Sequence, residues 1–216
     1  MFGDGGETFQ YETIGGMLYS IREGCLYDEF QNQVYSSPDM TLEEINQTFL
    51  RLSSEYGYQY EEGEDQAYSW VEVPHTFESP MYYIGYATSA LAALDIWTES
   101  LEDREAAVDK YMRLTQIGGS EPFCKVMEDS GFDDIFQEGV IGEMAFSIRD
   151  IMDIEEKMAE YTQQAEQGTE GAGIPAAAGT AIMAGAAILL VAAAVLTKKR
   201  RSRQEQEERT EDDGQE

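Results

Sequence analysis

Between residues 12 and 36, apolar side chains recur at Ile14, Met17, Leu18, Ile21, Cys25 and Leu26, a three-and-four spacing that puts them on one face of a helix. Pro38 ends that pattern, because proline cannot supply the helical N–H. Thr41-Leu-Glu-Glu then predicts a capping box with Thr41 as cap and Glu44 reaching back. The stripe Ile45, Phe49 and Leu52 makes the following segment a short amphipathic helix that ends near Gly57. Residues 56–72 carry Tyr56, Tyr58, Tyr60 and Tyr68 among many acids and read as a loop. From Pro80 onward Tyr83, Tyr86, Ala87, Ala90, Leu91 and Leu94 form a continuous helical face. A further helix over about 103–117 stops at Gly118 and Gly119, the usual left-handed exit, and Pro122 can open the next one. Residues 137–165 predict a long polar helix. No convincing strand of period two and no internal repeat is present, so the expected fold class is all-α.

A different pattern follows. Residues 174–196, IPAAAGTAIMAGAAILLVAAAVL, contain no charge. A helix of this length spans roughly 34 Å, enough for a hydrocarbon core of about 30 Å. The competing reading is a buried helix of a globular protein, but a soluble helix usually carries a polar face, and this one has none. Gly168, Gly171 and Gly173 precede it, Ala181 and Gly185 fit small-xxx-small packing, and KKRRSR follows at once, as the positive-inside rule expects of a cytoplasmic flank. The expected organisation is a helical segment at 1–165, a Gly-rich linker at 166–173, a transmembrane helix at 174–196, and a basic block with an acidic cytoplasmic tail at 197–216.

Charge sharpens this picture. The 216 residues are 42% hydrophobic and 11% aromatic, enough for one core, yet the formal net charge is −29. Residues 1–173 hold 36 acidic and 8 basic side chains, a net of −28, which sets nucleic acid aside because phosphate binding needs a clustered basic surface. If the basic block is cytoplasmic, residues 1–173 are extracellular. The first residues, MFGDGGETFQYETIGG, carry acids and no apolar run where an export signal needs the reverse. Met1 is therefore expected to be internal to a longer or broken reading frame. Cys25 and Cys124 match no metal spacing and read as two buried free thiols.

The chain has a single histidine, His75. A His-Glu-x-x-His zinc site needs two, one helical turn apart. No Gly-x-Ser-x-Gly elbow is present, and among 43 acids carboxylate pairs arise by chance. What remains is donor chemistry: an imidazole or phenol hydrogen aimed at a developing oxyanion. His75 on a loop, with Tyr82, Tyr83 and Tyr86 at a helix start, could converge on one cleft. The competing reading is packing, since a histidine beside aromatics is often a core residue and tyrosines at helical spacing usually are.

The stretch VPHTFESPMYYIGYATSALAAL at 73–94, followed by KYMRLTQIGGSEPFCKVMEDSGFDD at 110–134, resembles the C-terminal part of the thimet oligopeptidase and oligoendopeptidase F family of zinc metallopeptidases. There a histidine precedes a Phe-Tyr-x-Tyr-x-Tyr-Ala-Thr-Gly helix start, and a Tyr-x-x-Leu-x-x-Gly-Gly-Ser turn leads into a helix ending near Ala-Gly-x-Asp. The upstream stretch IREGCLYDEFQNQVYSSPDMTLEEINQTFLRLSSEYG at 21–57 is similar to the family's helix with Phe-Glu near its end, followed by Leu-Thr-x-Glu-Glu-Leu. The resemblance covers about residues 10–160, with Met81 for the usual Phe, Ile84 at an aromatic position and Ser89 for the Gly.

The resemblance implies the helical C-terminal part of a two-lobed peptidase that cleaves short peptides. It puts His75 on the histidine that stabilises the tetrahedral intermediate and Tyr86 on the tyrosine that supports it or orients substrate, with Tyr82 and Tyr83 as substrate-binding neighbours. Zinc, in the complete family enzyme, is held by a His-Glu-x-x-His motif and a later glutamate upstream of the matched part, so none is expected on this chain alone. The partners implied are short peptides, the membrane and the missing N-terminal catalytic half. The alternative is a non-catalytic, membrane-anchored helical module that binds peptides or proteins, and a purely structural acidic surface protein is a further rival.

Overall fold

The computed structural model describes residues 6–58 and 66–152, and among these it is all-helical. The order is α1 (Gly6–Tyr35), α2 (Leu42–Glu55), a 3₁₀ helix (Gln66–Glu72), α3 (His75–Glu78), α4 (Ile84–Glu102), α5 (Arg104–Ile117), α6 (Phe123–Ser130) and α7 (Val140–Ile151). The expected span at 174–196, the linker at 166–173, the tail at 197–216 and the end of the helical segment lie outside the described residues. Among the described residues no helix is long and apolar enough to cross a membrane.

The long helix α1 organises the rest. Its stripe Ile14, Leu18, Ile21, Cys25 and Leu26 is buried as the spacing predicts, and Tyr11, Tyr27 and Phe30 extend it. Helices α1 and α4 form the main packing pair, α4 carrying Ala87, Ala90, Leu91 and Leu94 into the core. Their approach is closest at Gly24. A Cβ added there would lie 2.8 Å from the Ala87 Cβ and 2.9 Å from the Tyr83 carbonyl oxygen, so only glycine lets the start of α4 sit against α1.

The capping box forms as predicted. The Glu44 N–H donates to the Thr41 hydroxyl at 3.3 Å, and the Thr41 N–H donates to the Glu44 carboxylate at 2.8 Å. Helix α2 buries Phe49 and Leu52 and ends before Gly57. The described parts of the segment read as loop are more structured than its acids suggest. Tyr56 is a core residue whose hydroxyl donates to Glu29 at 2.9 Å, and the 3₁₀ helix buries Trp70, whose indole N–H donates to the buried Asn46 at 2.9 Å. Aromatic side chains here follow the apolar demand of α1 and α2, which local charge does not reveal.

Helix α5 is capped by Asp103, whose carboxylate accepts from the N–H groups of Glu105 and Ala106 at 3.0 Å each. Lys110 on α5 reaches back to Asp95 on α4 at 2.9 Å and also pairs with Glu99. The exit at Gly118 is a correction: φ is +57° but ψ is −139°, so the residue turns the chain through a glycine-only conformation and not the left-handed helical one. Pro122 stands at the cap of α6, one position before its first helical residue. Helix α7 is amphipathic where a polar helix was expected: Ile141, Ala145 and Ile148 are buried, and the carbonyl of the following Met152 accepts from the Tyr11 hydroxyl at 2.7 Å. Both cysteines are free, Cys25 buried as expected but Cys124 exposed.

Candidate functional site

His75 does not lie on a loop; it is the first residue of α3, a single helical turn capped by Pro74. That turn is pinned from behind. The buried Thr76 hydroxyl donates to the Trp70 carbonyl at 3.1 Å, and the Phe77 ring lies 5.8 Å from the Trp70 ring. The chain then reverses through Met81, whose φ of +63° is uncommon for a residue with a side chain. The Met81 N–H donates to the side-chain oxygen of Gln31, a buried residue of α1, which holds the turn in this conformation. Tyr82 follows, Tyr83 caps α4, and Tyr86 lies in its first turn.

This path brings all four candidate side chains together. The His75 ring stacks on Tyr82 at 5.2 Å, 15° from parallel, and meets Tyr83 and Tyr86 edge to face at 5.4 and 6.1 Å. Tyr86 closes the group at 5.4 Å from Tyr82 and 5.2 Å from Tyr83. Exposure separates this arrangement from core packing. Tyr82 is 54% and Tyr86 42% exposed, whereas Ala87 and Leu91 on the same helix are 1% and 3% exposed. The continuous helical face is therefore not uniform: Ala87, Ala90, Leu91 and Leu94 are buried, Tyr83 is half-buried, and the face turns to solvent at Tyr86.

The wall behind the rings comes from α1, and the sequence reading passed it over. Tyr19, Glu23, Tyr27 and Gln31 recur every fourth residue, so they form one ridge of that helix. The Tyr27 ring lies 4.8 Å from Tyr83, and Gln31 holds Met81. Glu23 neighbours the Tyr19 hydroxyl, one turn away on the same ridge. Burial pushes the Glu23 carboxyl above its ordinary range, more than the nearby Arg22 charge and the Tyr19 hydroxyl pull it down. Burial, and then the Glu23 charge and Tyr86, hold the Tyr83 phenol above its usual value of 10.0. Tyr83 is therefore a phenol O–H at neutral pH, able to donate. The regular four-residue polar spacing was the signal that could have found this ridge.

The arrangement can stack a ligand against Tyr82 and Tyr86 and offer imidazole and phenol hydrogens to an electron-rich oxygen. Its donor set does not fit zinc. The chain's one histidine is surrounded by tyrosine rings, and among the described residues no three His, Cys, Asp or Glu side chains converge.

No family model matches the chain. It is 27% identical over 113 residues to a protein of Borreliella burgdorferi (strain ATCC 35210 / DSM 4680 / CIP 102532 / B31) named oligoendopeptidase F homolog. That match takes in 50% of this chain and 19% of the relative, so the chain spans about a fifth of the length of the curated relative it matches. An X-ray structure provisionally named oligoendopeptidase F superimposes with a TM-score of 0.60 at 26% identity, covering 70% of this chain and 28% of that one. Sequence and fold are thus similar to oligoendopeptidase F over part of the chain, consistent with a C-terminal portion of that family.

Proposed function

We propose that the chain is the C-terminal part of a membrane-anchored, oligoendopeptidase-like zinc metallopeptidase that hydrolyses short peptides. Its own contribution is a wall that seats the peptide and stabilises the tetrahedral intermediate. The observation that carries this reading is the contact of His75 with Tyr82 and Tyr86 while both tyrosines stay open to solvent. A packing cluster would bury those rings. In this reading His75 and Tyr86 donate hydrogen bonds to the oxyanion, and Tyr82 and Tyr83 hold the peptide. Zinc belongs to residues outside this chain, so the chain alone binds no stoichiometric zinc and cleaves no peptide. Residues 174–196 are the anchor, with 1–173 outside the cell and 197–216 in the cytoplasm.

Two measurements test this. Zinc analysis and a quenched-fluorescence peptide assay on the isolated chain are expected to be blank, and chelator-sensitive turnover would refute the division of labour. In a reconstituted full-length enzyme, His75→Ala or Tyr86→Phe is expected to lower kcat by roughly 10²–10³-fold, the usual loss for an oxyanion donor. Unchanged activity removes their role. Peptide binding without any turnover in that enzyme would favour the non-catalytic binding module.

A further inference from the structure

We infer that Glu23, with Tyr19 beside it on α1, forms a subsite for a cationic group of the bound peptide, a lysine or arginine side chain. The inference rests on the peptide-binding reading above. Glu23 neighbours Gly24, the point of closest approach between α1 and the start of α4, so its position relative to Tyr83 is fixed by backbone packing. Glu23 is half-buried on the ridge that carries Tyr27 against Tyr83, with the Tyr19 hydroxyl as its neighbour one turn away. An ionised carboxylate has room for about four hydrogen bonds, and one phenol leaves most of that capacity open.

Removing a carboxylate from water without an equal return is costly, and here burial outweighs both favourable neighbours, Arg22 and Tyr19. The Arg22 guanidinium, a favourable charge for Glu23, also lies over the Tyr58 ring at 3.9 Å and is 5.4 Å from the Tyr19 ring. An ammonium or guanidinium from a ligand would supply the countercharge that the fold supplies only in part. Its methylene stem would lie along aromatic surface, which Tyr19, 50% exposed, and Tyr82 and Tyr86 provide. The acidic composition concentrates cations around the whole molecule, but Glu23 is singled out by its place on the α1 ridge that meets Tyr83, half-buried beside the half-exposed Tyr19 ring.

The test uses the full chain in detergent and two seven-residue peptides identical except for one lysine replaced by norleucine. The wild-type chain is expected to bind the lysine peptide roughly tenfold more tightly at low salt, the gain of one charge-assisted hydrogen bond. Glu23→Gln is expected to reduce that preference to within about twofold while leaving norleucine-peptide affinity unchanged. Glu12→Gln, an equal change in net charge at an exposed position of α1, is expected to keep the preference. Should Glu23→Gln lose its helical signal, carbodiimide coupling of the lysine peptide to the wild-type chain decides the matter, since it joins the amine to the carboxylate it touches. A cross-link mapped to Glu23 supports the subsite, and one mapped only elsewhere overturns it. Equal affinity for both peptides, or a preference that survives Glu23→Gln, overturns the subsite alone. No binding of either peptide overturns the peptide-binding reading itself.

Discussion

Two aromatic clusters share α1, and their rings are almost equally close. In the first, Phe30 meets Phe49 at 5.1 Å and Trp70 at 5.6 Å; in the second, His75 meets Tyr82 at 5.2 Å and Tyr83 at 5.4 Å. Tyr27 belongs to both, 5.6 Å from Phe49 and 4.8 Å from Tyr83. Ring geometry does not distinguish them, but solvent does: Phe30 and Phe49 are 2% exposed, against 54% for Tyr82 and 42% for Tyr86. Burial of the first cluster removes apolar area from water and stabilises the fold. The second forgoes part of that stabilisation, and its polar tips remain accessible to a ligand. A cluster that keeps tyrosines in water on a pinned turn has the character of a site.

The contrast can be broken by substitution. Phe49→Ala is expected to cost about 3–5 kcal/mol in urea unfolding, because a buried ring leaves a cavity as well as losing its transfer energy. A loss below about 1 kcal/mol would mean that the first cluster is no tighter than the second. Gly24→Ala is expected to cost about 1–3 kcal/mol, since its methyl meets the backbone of α4. It should also change the near-ultraviolet tyrosine circular dichroism, because the displaced atoms belong to Tyr83 and Ala87.

A subtler effect concerns pH. The Glu23 carboxyl is raised above its ordinary 4.5 in the folded chain, so the folded state holds that proton more tightly than the unfolded one. Stability from this group is fully present below about pH 4.5 and is lost as pH rises through the raised value. Urea midpoints of wild type and Glu23→Gln between pH 4 and pH 7 should therefore diverge, with the variant gaining relative to wild type. Parallel curves would deny the burial of Glu23. The smallest effect on stability is expected at Tyr82→Ala, within about 0.5 kcal/mol because the side chain is mostly in water. Its peptide binding should nevertheless fall, and a Tyr82→Ala chain that binds peptide normally would remove the distinction between the two clusters.

Much of this was legible along the chain. Helices were visible in the spacing of Ile14, Leu18, Ile21, Cys25 and Leu26, and in Ala87, Ala90, Leu91 and Leu94, because a helix repeats its burial every three to four residues. The Thr41 and Glu44 box was visible because its hydrogen bonds are local. The burial of Tyr56 and Trp70 does not show in the sequence, because acids dominate their neighbourhood while their partners Glu29, Phe30 and Asn46 are 24 or more positions away. The stripe Ile141, Ala145 and Ile148 of α7 is equally local, and the polar reading of 137–165 overlooks it because charged and polar residues outnumber that stripe over the longer window.

The candidate site divides along the same line. Sequence alone determined the helical class, the main helix positions and the four candidate side chains His75, Tyr82, Tyr83 and Tyr86, since periodicity, caps and short motifs are local properties of the chain. Only the tertiary structure decided that these four rings touch, that two of them remain in solvent, and that Tyr19, Glu23, Tyr27 and Gln31 stand behind them. Exposure and cross-helix contact depend on how closely α1 and α4 approach. That approach is set at Gly24, a residue with no side chain and whose role shows only when the second helix is in place.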